Sequence, residues 1–186
     1  IIKLVDFDKI KDFKKRMLNV GSGIQKGMAE NEDIYFQSVE ARNILYNEMP
    51  DIVNNYMNSI NKLTGKNYKP FNYYGSNRAT NIIIAMGSVC DTVKLVVNDL
   101  ISKGKDVGLI EVHLYRPFSL KYLLNVLKKK KKNIAVLDRT KEAGSVGEPL
   151  YLDVVSVLRN KNINIVGGRY GLSSKNTTPD QINAVF

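Results

Sequence analysis

The sequence predicts an α/β fold, a mostly parallel sheet with helices on both faces, preceded by a helical N-terminal extension. Two observations carry this. Four short, largely apolar runs (residues 82–86, 107–114, 134–137 and 163–166) alternate with helical patterns, and glycines, prolines or charged clusters close each run. Strands that are apolar all along their length belong to parallel sheets covered on both sides, because polar alternation is needed only where one face meets water.

The elements follow in chain order. Residues 1–35 read as a lead-in segment: Ile10, Phe13, Met17 and Leu18 recur at helical spacing, Gly21-Ser22-Gly23 breaks the pattern, and residues 26–31 read as loop. Residues 36–81 are a helical lead-in and a loop. A helix over 36–46 is expected to end before Pro50, since the residue preceding a proline is pushed out of the helical region. Ile52, Val53, Tyr56, Met57, Ile60 and Leu63 then mark an amphipathic helix closed by Thr64-Gly65. Residues 66–81 hold four aromatics without periodicity and read as a connection.

Residues 82–186 form the α/β core. Gly87-Ser88 ends its first strand, and the helix over 92–102 presents Val93, Val96, Val97, Leu100 and Ile101 on one face. Helices over 120–127 and 146–158 separate the later strands, and a short helix-like run over 180–186 follows the last.

Composition removes several classes of function. No apolar run approaches the roughly 18–20 residues of a membrane span, and residues 1–6 lack the order of a signal peptide, so no membrane partner is expected. The chain begins without methionine and reads as a piece of something longer. A single cysteine, Cys90, excludes an internal disulfide, and with a single histidine, His113, a zinc or iron–sulfur site built by this chain alone is not expected. A reducing, cytoplasmic setting fits. The net charge of +10 raises the possibility of nucleic acid. Much of the excess lies in residues 11–16 and 128–132, with few interleaved aromatics, and the second run reads as a solvated loop.

Ligands of open α/β sheets bind beyond the carboxyl ends of the strands. Four segments lie there: Gly87-Ser88-Val89-Cys90, Tyr115-Arg116-Pro117-Phe118-Ser119, Asp138-Arg139-Thr140-Lys141-Glu142, and residues 167–175. In the first, Ser88 or Asp91 is read as a helix cap and Cys90 as a small buried hydrophobe. His113 is read as a hydrogen-bonded structural group, Arg116 as a partner of Asp138 or Glu142, and Glu148 as a helix start favoured by the dipole. The last segment is the richest. Three glycines let the backbone turn and approach a ligand, and two serines, Lys175 and a following helix N-terminus suit a phosphate. It matches neither a P-loop nor G-x-G-x-x-G.

Taken together, Ile84-Ala85-Met86-Gly87-Ser88, Leu114-Tyr115-Arg116-Pro117-Phe118, Leu137-Asp138-Arg139-Thr140-Lys141-Glu142, Gly147-Glu148-Pro149-Leu150-Tyr151 and Gly167-Gly168-Arg169-Tyr170-Gly171 resemble the pyruvate:ferredoxin (flavodoxin) oxidoreductases and the related pyruvate:NADP+ oxidoreductases. Asn31-Glu32-Asp33-Ile34-Tyr35-Phe36-Gln37, Pro50-Asp51-Ile52-Val53 and Leu63-Thr64-Gly65 continue the match upstream. The resemblance is to the second domain of that large enzyme, similar to the transketolase C-terminal domain. Residues 1–35 resemble the segment arriving from the thiamine-pyrimidine-binding domain, and residues 36–186 the domain itself.

The resemblance implies oxidative decarboxylation of pyruvate with coenzyme A to acetyl-CoA and CO2, the electrons passing to ferredoxin, flavodoxin or NADP+. It implies thiamine diphosphate, Mg2+ and iron–sulfur clusters in the whole enzyme and no cofactor in this piece, which is expected to be inactive alone. It implies a homodimer, contacts with other domains of the same polypeptide, and a candidate coenzyme A contact at Gly171, Leu172, Ser173, Ser174 and Lys175. One departure is Lys26-Gly27-Met28-Ala29-Glu30-Asn31, where the family has Arg-Gly-Thr-Ala-Gln-Asn. Two rival readings stand beside this one: a basic α/β nucleic-acid-binding module and a stand-alone nucleotide-binding enzyme.

Overall fold

The structure, a computed structural model, describes residues 2–21, 23, 24, 27, 29–127 and 132–186. The chain divides into two compact units, Ile1–Asn67 and Tyr68–Phe186.

The first unit is helical. After a short 3-10 turn at Ile2–Leu4 come α1 (Phe7–Lys15), α2 (Tyr35–Ala41) and α3 (Asn43–Thr64). Asp6 caps α1 by accepting from Lys9 N at 3.0 Å. The basic run on α1 is laced with aspartates one turn away: Lys11 pairs with Asp8 and Lys15 with Asp12, both pairs exposed. Such pairs solvate a helix more than they stabilise it. α3 corrects the expected stop before Pro50, because the helix break falls at Arg42 and the helix runs through Pro50 for 22 residues. A mid-helix proline forfeits one backbone hydrogen bond, and the turns on either side outweigh that loss. Gly65, at φ 68°, ends α3 as expected, its N–H donating to Asn61 O at 2.8 Å. The departure at residues 26–31 falls partly outside the described residues.

The second unit holds a five-stranded sheet: β1 (Phe71–Gly75), β2 (Asn81–Ala85), β3 (Val107–Val112), β4 (Lys132–Asp138) and β5 (Ile163–Arg169). The order is β1-β3-β2-β4-β5, with β2 to β5 parallel and β1 antiparallel to β3. The predicted α/β class holds. β1 is an addition, lying in what the sequence reads as a connection. Its Phe71-Asn72-Tyr73-Tyr74 run carries strand-forming aromatics between Pro70 and Gly75, too short to show periodicity.

The helices α4 (Val89–Ser102), α5 (Leu120–Val126), α6 (Pro149–Leu158) and α7 (Pro179–Asn183) cover both faces. Successive strand residues point to opposite faces. Ile82, Ile84, Ile110, Ile134 and Val136 pack with Leu123, Leu150, Val154 and Leu158 of α5 and α6. Ile83, Ala85, Leu109 and Leu137 pack with Val93, Val96 and Val97 of α4 and Ile182 of α7. This explains why β2, β3 and β4 are largely apolar; β5, at the sheet edge, departs from the expected cover on both sides, with no buried residue and Val166 exposed. α6 begins at Pro149 rather than at 146, because a proline fits the first helical position with Glu148 before it, and Val146 is left exposed. The lysine run 128–131 lies outside the described residues.

Candidate functional site

The chain leaves β2 through α4 toward β3 on one side, and leaves β4 through α6 toward β5 on the other. The carboxyl ends of β2 and β4 are therefore adjacent and their connections diverge, which opens a crevice there. A cavity of about 190 Å³ occupies it. Ser88 and Val89 reach it from the β2–α4 turn, Arg139 from the end of β4, and Gly171, Ser174 and Lys175 from the segment after β5.

Ser88 stands at the N-cap position of α4 but makes no side-chain capping bond. The expectation that Ser88 or Asp91 caps this helix is thereby corrected: Ser88 has helical φ and ψ, which turns its hydroxyl away from the N–H groups of the first turn, and Asp91 faces Lys94 at 3.7 Å. The N–H groups of Cys90 and Asp91 already bond to Gly87 O and Ser88 O.

The glycine-rich segment behaves differently from its sequence reading. Gly167 and Gly168 lie within β5 and make room for packing. A Cβ on Gly167 would stand 3.0 Å from the Tyr151 ring, and one on Gly168 would stand 2.9 Å from Leu137. Only Gly171 turns the chain, at φ 59°. Leu172–Ser174 make a 3-10 turn in which Ser173 (φ 51°) and Ser174 (φ 60°) are left-handed. L-residues adopt that conformation only when their surroundings impose it.

Arg139 supplies part of that imposition. Its Nε donates to Gly171 O at 3.0 Å, and Nη2 lies 3.5 Å from Ser174 Oγ. Of the five residues singled out, Gly171, Ser174 and Lys175 line the cavity. Leu172 points instead to an adjoining hollow of about 400 Å³ beside α7, and Ser173 lines neither. The helix start facing the cavity is that of α4. The amino end of α7 is occupied by its own capping box, Thr178 with Gln181.

The remaining polar residues are structural. Asp138, 2% exposed, accepts from Leu150 N at 3.0 Å and Tyr151 N at 3.1 Å, so a strand-end carboxylate caps α6 from across the sheet. Burial pushes its carboxyl up, against the pull of those two amides. Glu148 accepts from Glu142 N and from Arg169 Nη1, each at 2.8 Å, and these bonds hold its carboxyl down. Arg116 corrects the expectation that it pairs with Asp138 or Glu142. It stacks 3.9 Å over the Tyr115 ring and stands 2.6 Å from Asp153 Oδ2 of α6. That oxygen has no partner of hydrogen-bonding geometry among the described residues, so charge rather than a well-angled bond holds the pair.

His113 donates from Nδ1 to Lys69 O at 3.0 Å, the structural role expected. Cys90 is buried, as expected of a small hydrophobe, and its thiol is pushed up to about 12 chiefly by burial. Among the described residues no group of three or more His, Cys, Asp or Glu side chains is placed to hold a metal, and no helix is long and apolar enough to cross a membrane.

Residues 79–182 match the model of the family pyruvate:ferredoxin oxidoreductase core domain II. The chain belongs to this family. The matched residues run from just before β2 into α7 and include every strand end and loop that forms the cavity. The chain is 52% identical over 186 residues to a pyruvate:ferredoxin oxidoreductase of Moorella thermoacetica, covering 99% of this chain and 16% of that protein. It is 48% identical over 185 residues to a pyruvate-flavodoxin oxidoreductase of Enterobacter agglomerans, covering 98% and 16%. It is 42% identical over 192 residues to an NADP+-dependent pyruvate dehydrogenase of Cryptosporidium parvum, covering 100% and 10%. The chain therefore spans about one sixth or less of the length of these relatives, and their similarity to it extends beyond core domain II into the helical unit.

Proposed function

We propose that this chain is the core domain II of a pyruvate oxidoreductase that decarboxylates pyruvate oxidatively with coenzyme A, giving acetyl-CoA, CO2 and two electrons. The identity with full-length enzymes of that activity supports the reading. The relatives named above are all pyruvate oxidoreductases or dehydrogenases, which favours this reading over a nucleic-acid module or a stand-alone nucleotide-binding enzyme. Residues 1–35 link it to a preceding domain and residues 36–186 make the domain itself, working in the cytoplasm within a homodimer.

The chemistry is carried elsewhere in the longer polypeptide. Iron–sulfur clusters need several thiolates, and one buried cysteine does not fit that demand. Thiamine diphosphate with Mg2+ needs oxygen ligands for the ion, and no carboxylate lines the cavity at the switch point. The electron acceptor is set elsewhere too: relatives named for ferredoxin, flavodoxin and NADP+ are all 42–52% identical to the chain.

What this domain contributes is architecture and a contact for coenzyme A at the loop Gly171–Lys175. The observation that carries this is the polar cavity at the strand switch point, lined by Gly171, Ser174 and Lys175 of that loop. Among the described residues no carboxylate lines the cavity beside Lys175, whose ammonium is available for a phosphate oxygen. In the full-length enzyme Lys175→Ala is expected to weaken coenzyme A binding by about 1–2 kcal/mol, roughly 5- to 30-fold. Calorimetry with coenzyme A and the KM for pyruvate check this. Unchanged coenzyme A affinity, or an equal loss for pyruvate, would remove the lysine from the contact.

A further inference from the structure

β5 is an edge strand without the usual protection of an edge. Alternate residues of an edge present unpaired N–H and C=O groups, and natural sheets blunt such edges with short strands, charge, proline or a bulge. β5 runs seven residues in unbroken register with β4 and holds no proline. Its one charged residue is Arg169 at the last position, where Glu148 engages it. One face of the strand is also bare: Val166 is 62% exposed, although Ile83 in the same row of the sheet is fully buried.

Two rows of side chains cross the sheet to this edge. Asn81, Asn133 and Asn164 stand in register on β2, β4 and β5. They are joined amide to amide, Asn164 Nδ2 donating to Asn133 Oδ1 at 3.0 Å and Asn133 Nδ2 to Asn81 Oδ1 at 2.9 Å. Ladders of this kind tie strand to strand and extend through each strand added. Two residues further along, Ile83, Ala135 and Val166 make an apolar row on the same face. The two rows floor a groove of about 340 Å³ toward the amino ends of the strands, opposite the end that carries the switch-point cavity. Val185 and Phe186, which follow α7, line it as well.

The groove suits an extended segment of the same polypeptide. This chain covers 16% of the length of its Moorella thermoacetica relative. In a polypeptide that continues past Phe186, the next residues leave from the groove itself. Over a short connection their effective concentration at β5 is on the order of millimolar, far above that of a separate molecule. We infer that the segment following Phe186 in the full-length polypeptide docks on β5 as a sixth strand. An apolar side chain closes the groove over Val166, and a polar one two positions away extends the amide row from Asn164.

The deciding variant is Val166→Lys in the full-length enzyme. Lysine on a bare, solvated face changes little, whereas a charge under a docked strand opposes pairing. Hydrogen exchange by mass spectrometry, with sedimentation for the assembled mass, is followed in wild type, Val166→Lys and Asn164→Ala. In the wild type β5 is expected to be protected at every amide rather than at alternate ones, together with a stretch shortly after Phe186. Both variants are expected to speed exchange in these two stretches and not in β2 or β3, by about tenfold or more for Val166→Lys.

Alternate protection along β5 that Val166→Lys leaves unchanged means an open edge and overturns the docking. Protection lost together with a halved sedimenting mass assigns the groove to a second copy and overturns the continuing chain as its occupant. Protection of β5 coupled to a stretch remote from Phe186 overturns it equally. Exchange unaffected by Asn164→Ala overturns the extension of the amide row. The inference rests on the reading of this chain as one domain of a longer pyruvate oxidoreductase. Pyruvate turnover by the wild type tests that reading apart, since its absence would overturn the function and leave the docking standing.

Discussion

Two carboxylates at the amino end of α6 are shifted in opposite directions, one by burial and one by its hydrogen bonds. Burial favours the neutral form of Asp138, so its folded pKa lies above its unfolded one, and the stability tied to its proton is lost as pH rises through that folded value. Glu148 is held ionised, first by the Glu142 amide and then by Arg169, so its contribution is present above the unfolded pKa and lost as pH falls through the folded value. Glu148→Gln is therefore expected to destabilise the chain at neutral pH and to differ less and less from wild type as pH drops below the ordinary glutamate range. Urea denaturation at a series of pH values measures the gap, and a gap that stays constant would show that the charge of Glu148 is immaterial. At this scale the sequence disclosed residue types better than partners. His113 and Cys90 took their expected roles, whereas Arg116 went to Asp153 and Asp138 to α6. Each of those missed partners depends on how α6 crosses the sheet, which no local pattern encodes.

Strands and helices were more legible. The four parallel strands and their helices follow from periodicity, because the period of the apolar positions is the physical cause of the packing. β1 escaped because an edge strand of five residues needs only one buried anchor, Phe71, and shows no alternation. Its far end rests on Gly75, at φ 127°, where a Cβ would stand 2.5 Å from Val107 O. No side chain relieves that contact, since the neighbour is backbone. Gly75→Ala is expected to cost about 1–3 kcal/mol and to act on the β1–β3 pairing first. Hydrogen exchange should show the amides of β1 losing protection ahead of those of β2 and β4. Unchanged exchange and stability would mean that the strand end relaxes without penalty. The same backbone logic explains the glycine-rich segment. Its first two glycines serve Tyr151 and Leu137, and the turn that shapes the cavity is left to Gly171 and two left-handed serines.

Across the whole chain, apolar burial is divided unequally. Both core clusters consist wholly of residues from the unit Tyr68–Phe186. In the unit Ile1–Asn67 only Pro50 is buried among the described residues, while Ile10, Phe13, Met17, Phe36, Ile52 and Tyr56 are exposed. Helices of nine and seven residues do not hold in water by propensity alone, and one of 22 is marginal without packing. Apolar faces of this kind are ordered by what they rest against, and relatives roughly six times longer match the chain through this unit as well. A chain cut to residues 68–186 is therefore expected to keep a cooperative urea transition and the circular dichroism of a mixed α/β domain. Residues 1–67 alone are expected to show weak helicity that melts gradually. A sharp transition in 1–67 would mean that its apolar faces satisfy one another. Loss of the transition in 68–186 would place part of the stability of the sheet in the helical unit, against the division of the two cores.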